Sequence, residues 1–314
     1  MTSPLRRWRL GAALLAGPVL AAIGAPAAQA DSPFILPSTT SLAGTSGVVT
    51  FDAAGSDHVF SMDHRPIQLA SITATRPDGT AAEPYNAVQG RFRSVFDLKI
   101  DQEGTWKISS GQTQVSGTFI LDGVERRVGG RGGPPRPAGA PGGMAGPGGP
   151  GGPGGPGSPG GPGGESRLPP VALQDIPANA TDLHLVENIS KTETFVTAGA
   201  PTDTVFKPTG TGLEFAPITP PNSVAAGEVA QFRFLIDGKP AAGVKVTVIA
   251  GGVRYREETG ETEHTTGADG VVTINWPSAG LYWIHAEAED KHPSEKRAEA
   301  RKMSYAATLE VMTP

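Results

Sequence analysis

The residues in this chain best suited to chemistry are two Asp-His pairs, Asp57-His58 and Asp63-His64, with Met62 between them. Imidazole nitrogen and carboxylate oxygen together suit divalent nickel, cobalt, copper or zinc, and a nearby thioether adds affinity for cuprous ion. Four residues separate the pairs, so a tight connection between strands would turn all four side chains toward one ion. The same residues equally compose a polar turn, with the aspartates capping backbone amides and the histidines facing water. A second set, Glu261, Glu263 and His264 with His285, falls where neighbouring strands would place it, either around a metal or along a solvent-facing row. Trp276, Tyr282 and Trp283 would form a sugar-stacking platform if exposed and a core if not. His184 and His292 stand alone in loop-like surroundings and read as surface residues.

Enzyme signatures are missing. The chain has no nucleophile elbow, no His-Glu-x-x-His pair, no phosphate-cradling loop leading into a helix and no EF-hand loop. Acidic neighbours such as Glu257-Glu258 lie in charged surroundings that would not raise a carboxyl into the range of a general acid. There is no cysteine, which removes disulfides, thiolate metal sites and thiol nucleophiles together. The expectation is a non-catalytic protein.

The first thirty residues have the form of a secretory leader. Arg6, Arg7 and Arg9 precede an apolar run, and Ala28-Gln29-Ala30 supplies a small-x-small cleavage site before Asp31. Gly11, Gly17, Pro18 and Gly24 interrupt that run, which is too short for a transmembrane helix. Arg9 stands where a twin-arginine signal prefers a large apolar residue, so both general and twin-arginine export stay open. No later segment reaches bilayer length, and the expectation is a soluble periplasmic protein cut after Ala30. All three leader arginines count among the 26 basic residues, whereas all 31 acidic residues lie beyond the leader. The mature chain is therefore more acidic than the formal charge of −5, which argues against nucleic acid as a partner.

What would position these residues is a set of strands. Residues 48–51, 67–75, 94–100, 106–109 and 113–121 are β-rich runs divided by Gly, Asp and Pro. The clearest unit comes last. There Phe232, Phe234 and Ile236 share one face, Asp237-Gly238 and Asp269-Gly270 mark turns, and Tyr305, Ala307, Leu309 and Val311 are in phase. A charged loop is expected over 287–302. From 148 to 165 glycine falls at every third position, within a Gly/Pro-rich stretch at 129–168 that cannot bury a core and reads as a disordered linker. The reading is all-β, with two immunoglobulin-like or transthyretin-like sandwiches. The first spans 31–208 and is interrupted by the Gly/Pro-rich segment; the second spans 209–314.

Several stretches resemble one bacterial family of exported proteins, domain-of-unknown-function family 4198: "ILPSTT" at 35–40, "FDAAGSDHVFSMDHRPIQL" at 51–69, "GRFRSVFDLKI" at 90–100, "ETFVTAGAPTDTVFKPTGTGLEFAPITPPN" at 193–222, "FRFLIDGKPAAGVKVTV" at 232–248 and "WPSAGLYW" at 276–283. The resemblance implies a place in nickel or cobalt uptake, beside a membrane transporter or a TonB-dependent receptor. This chain departs from the family pattern at two ligand positions. It begins its mature part Asp31-Ser32-Pro33-Phe34, without the family's N-terminal His, and carries Pro220-Pro221 where a His-Pro pair is common.

Two functions follow as expectations. One is an accessory protein of transition-metal uptake or homeostasis, binding metal weakly at Asp57, His58, Asp63 and His64, or docking on a transporter or receptor. The alternative is a structural or protein-interaction module of the cell envelope with no small ligand.

Overall fold

The computed structural model describes residues 32–129 and 168–314. The leader lies outside them, as does the Gly/Pro-rich segment apart from its end residues Gly129 and Leu168. The first half contributes β1 (Ser32–Pro37), β2 (Ser41–Leu42), β3 (Gly47–Ser56), β4 (Arg65–Pro66), β5 (Ile72–Thr75), β6 (Ala81–Ala82), β7 (Tyr85–Gln89), β8 (Ser94–Ile100), β9 (Gly104–Leu121) and β10 (Val124–Val128). Next come β11 (Thr181–Ala198), β12 (Leu213–Pro217), β13 (Val229–Ile236), β14 (Lys239–Pro240), β15 (Lys245–Ala250), β16 (Thr262–Thr265), β17 (Val271–Asn275), β18 (Gly280–Asp290) and β19 (Ala300–Val311). Apart from short 3-10 turns, every element among the described residues is a strand, so the chain is all-β.

These strands form three sheets. A ten-stranded sheet runs β16-β15-β18-β19-β11-β9-β5-β6, with β10 beside β9 and β2 beside β11. A five-stranded sheet of β1, β3, β8, β7 and β4 and a four-stranded sheet of β12, β13, β14 and β17 complete the fold. The large sheet is the middle layer. On β11, Phe195 enters the core built with Phe215, Phe232, Phe234, Trp276 and Tyr305. Its neighbours Val196 and Ala198 enter the core of Phe51, Phe96, Leu98, Trp106 and Ile108. Successive side chains of a strand point to opposite faces, so the two sandwiches sit on opposite faces of one shared sheet. Residues 192–198 are consequently buried at every position, the continuous burial of a strand covered on both sides. The expected boundary at 208/209 falls between β11 and β12, while the sheet itself continues through both halves.

β11 makes the join because it pairs antiparallel with β9 and parallel with β19. Each of β9 and β11 is 18 residues long, and the two expected strands 106–109 and 113–121 are one. Gly117 lies opposite Leu185, next to a register shift, at φ 150°, where an added Cβ would stand 1.9 Å from the His184 carbonyl oxygen. The expected strand over 67–75 instead opens with a 3-10 turn, Leu69–Ser71, before β5. The expected charged loop over 287–302 is shorter, because β18 continues to Asp290 and β19 starts at Ala300. Asp122-Gly123 and Asp237-Gly238 both have positive φ at both residues, the geometry of two-residue hairpins.

Candidate functional site

The loop 57–64 joins β3 to β4, with its backbone closed by Ser61 N–H on the His58 carbonyl (2.9 Å) and by the Ser56 hydroxyl on the same oxygen (2.5 Å). Its apolar residues fasten it down. Val59 is buried, and Phe60 and Met62 pack with it against Phe34, Ile249, Val253 and Trp283. Phe60 takes φ +63°, a conformation that bulky residues rarely adopt and that persists only where packing dictates it. Here its ring meets Phe34 edge-on at 5.4 Å and approaches Gly251.

With the apolar residues turned inward, Asp57, His58, Asp63 and His64 are all exposed. Two of the four come together, the His64 Nδ1 lying 3.9 Å from an Asp57 oxygen. Among the described residues, no group of three or more His, Cys, Asp and Glu side chains is placed to hold a metal, whereas protein metal sites ordinarily supply three or four ligands. Alternation divides the second set. His264 lies opposite core residue Val246, while Glu263 and His285 both lie opposite Thr247 and therefore share the other face. Glu263 is occupied by an ion pair with Lys245, and His264 by the Thr262 hydroxyl at 3.2 Å. Of the remaining histidines, His184 pairs with Glu299 at 3.0 Å and His292 with Asp290 at 4.0 Å, both on the surface.

His285 stacks on Trp283 at 4.8 Å. Burial holds its pKa below the ordinary 6.5, with Glu287 opposing that shift and Lys245 reinforcing it. A folded pKa below the unfolded one means a contribution to stability that is complete above pH 6.5 and is lost as pH falls. Calorimetry between pH 7 and pH 5 should therefore show a smaller drop in melting temperature for His285→Gln than for the natural protein. Equal drops would remove His285 from the account.

The sugar-stacking platform does not exist. Trp276, Tyr282 and Trp283 are all buried. Trp276 and Tyr282 pack edge-to-face at 4.9 Å within the core, and Trp283 donates its indole N–H to the Pro33 carbonyl at 2.8 Å. These rings tie layers together.

What the sequence reasoning missed is a repeated tripeptide. Arg91-Phe92-Arg93 and Arg254-Tyr255-Arg256 occupy turns flanking the 57–64 loop. Arg93 contacts the Met62 sulfur at 2.8 Å and pairs with Asp52 at 3.2 Å. Burial raises the Asp52 pKa despite this partner. On the other side, Val253 packs in the cluster that holds Val59 and Phe60. Phe92 is 41% exposed and Tyr255 82% exposed, with the Arg91 and Arg254 guanidiniums 5.3 and 5.4 Å from the respective ring centres. Arg256 is tied back to the carbonyls of Ala250 and Thr259. The signal was an Arg-aromatic-Arg pattern recurring between strands, and it was available in the sequence.

No helix among the described residues is long and apolar enough to cross a membrane. A comparison with curated proteins gives no match. Among solved structures, the chain is similar to the D0-D1 domain of intimin, at 11% identity and TM-score 0.21, covering 89% of this chain and 97% of that one. It is also similar to the human OSCAR ligand-binding domain, at 10% identity and TM-score 0.18, covering 89% and 97%. A third is trypsin-activated alpha-2-macroglobulin from Escherichia coli, at 10% identity and TM-score 0.20, covering 90% of this chain and 16% of that one. Likenesses this distant carry nothing over to this chain. The family model described as "Domain of unknown function (DUF4198)" matches residues 28–290, most of the chain, and the protein belongs to that family.

Proposed function

We propose that this is an exported, non-catalytic accessory protein of the bacterial cell envelope that works by docking on a membrane transporter or receptor. The supporting observation is that loops 90–93 and 251–256 both meet the 57–64 loop, Arg93 at Met62 and Val253 in the apolar cluster of Val59 and Phe60, while Phe92 and Tyr255 stand exposed beside arginines. Aromatic and arginine side chains are enriched at the centres of protein interfaces, and a base locked by Val59, Phe60 and Trp283 limits the ordering cost of association. Photocrosslinking in cells tests the reading. A photoreactive phenylalanine analogue at position 92 or 255 should trap the same partner, and its failure to trap any would count against docking.

A second reading keeps transition metal as a ligand, because Asp57 and His64 already lie within 3.9 Å of each other. It requires the exposed His58 and Asp63 to swing in and complete the set around nickel, cobalt, copper or zinc. Isothermal titration with each ion decides it. Saturable one-site binding lost in His58→Ala/His64→Ala would support metal handling here, and no binding in the natural protein would remove it.

A further inference from the structure

Where the shared sheet leaves the C-terminal core, a small polar cavity lies beneath the 3-10 turn Thr204–Phe206, lined by Lys107, Lys191, Glu193, Lys207 and Glu214. The register explains why these side chains meet. Lys191, Glu193 and Phe195 alternate onto one face of β11, opposite Gly111, Ser109 and Lys107 of β9. Gly111 offers no side chain against Lys191, which leaves room above it.

Both carboxylates are 5% exposed and already satisfied. Glu193 accepts from the Tyr305 hydroxyl at 2.8 Å and from Ser109 at 3.2 Å, with Lys107 Nζ at 3.9 Å. Glu214 accepts from the Thr209 N–H and hydroxyl, both at 2.7 Å, and from the Gly210 N–H at 3.0 Å. Three lysines thus line the cavity with two carboxylates, of which Glu193 is paired with Lys107 and both are otherwise hydrogen-bonded by neutral donors, while Lys191 and Lys207 make no ion pair among the described residues. On an acidic chain this is a local excess of positive charge beside low-dielectric walls formed by Val205, Phe206 and Phe215, an arrangement that concentrates counter-ions.

We propose that Lys107, Lys191 and Lys207 form a binding site for a small anion, either a halide or one oxygen of a carboxylate. Size selects the class. The enclosed space of about 20 Å³ has room for one small guest, which favours a halide or a single carboxylate oxygen over a whole sulfate or phosphoryl group. A carboxylate reaching in would also take the ammonium hydrogens as charge-assisted donors. The site is independent of the three-loop surface and stands or falls without it.

Amide chemical shifts of the full chain would be followed while sodium acetate, and separately sodium chloride, replaces sodium sulfate at constant ionic strength. The amides of Thr209 and Gly210, which touch Glu214, report on the cavity wall. Saturable shifts there are expected, with acetate alone identifying a carboxylate site, chloride alone a halide site and both together a site that takes either. The variant Lys191→Met/Lys207→Met keeps the apolar stems and should weaken the response about tenfold. If that double variant loses its native spectrum, Lys207→Met alone, changed at an exposed position, should still weaken it. Linear, unsaturable shifts in the natural protein, or saturable shifts unaltered in the variants, would overturn the proposal.

Discussion

Arg301→Met is expected to remove about 3 kcal/mol of folding stability, toward the lower end of what breaking a buried ion pair costs. Arg301 is 5% exposed and lies opposite Asp290 across β18 and β19. Its guanidinium binds the Asp290 oxygens at 3.1 and 2.6 Å and, through two further N–H groups, the Asp237 oxygens at 3.1 and 2.8 Å. Asp237 sits in the hairpin turn of the four-stranded sheet, so this side chain clamps that sheet to the middle layer. Methionine preserves the volume of the stem and removes the charge, leaving two neighbouring carboxylates that repel each other. The Asp237 side chain is 41% exposed, so water screens part of the loss. The pKa values of Asp237 and Asp290 are both lowered, first by their hydrogen bonds to Arg301. A carboxyl with a folded pKa below its unfolded value of 3.8 stabilises fully above that pH, and the stabilisation disappears as pH falls through the folded value. Urea denaturation should accordingly find the variant and the natural protein far apart at pH 7 and converging below pH 4. A constant difference at every pH would show that the clamp acts by packing and not by charge.

Phe215→Ala should cost about 4 kcal/mol, the range of a large aromatic removed from a close-packed core. Its ring lies 5.1 Å from Phe232, 5.5 Å from Tyr305, 5.6 Å from Phe234 and 5.9 Å from Phe195, and aromatic pairs add to simple burial. Phe195 and Tyr305 belong to β11 and β19, strands of the shared sheet, while Phe232 and Phe234 belong to the sheet facing it. Because β11 also carries Val196 and Ala198 into the other core, the loss should reach both sandwiches. The prediction is one cooperative unfolding transition, moved to lower denaturant, and the same transition should move in Phe96→Ala, whose site is in the opposite core. Two transitions, each responding to one variant only, would mean that the sandwiches unfold independently.

Local features of this fold were legible because local chemistry dictates them. Asp237-Gly238 predicts a turn since few other residues accept positive φ at both positions. The alternation from Phe232 to Ile236 predicts β13 because one face must meet a core. What joins the halves was not legible. The parallel pairing of Val186–Thr194 with Ala300–Thr308 rests on contacts more than a hundred residues apart, and no turn or periodicity announces it. The same blindness affected the site. Period-two alternation separates His264 from Glu263, but its separation from His285 needs the register of both strands on β15, and only the packing of Val59, Phe60 and Met62 explains why Asp57, His58, Asp63 and His64 face solvent. The burial of Trp283 likewise depends on Pro33, distant in sequence and adjacent in the fold.

The most direct test of docking through the three-loop surface is site-specific photocrosslinking in the bacterial envelope. The analogue would be placed at positions 92 and 255, and at Val124 on the β9–β10 hairpin, which is 52% exposed, as a control. One discrete adduct is expected, the same membrane transporter or receptor from 92 and from 255, absent from 124 and abolished by Arg91→Glu/Arg254→Glu. No adduct from either aromatic position, or the same adduct from 124, would contradict it.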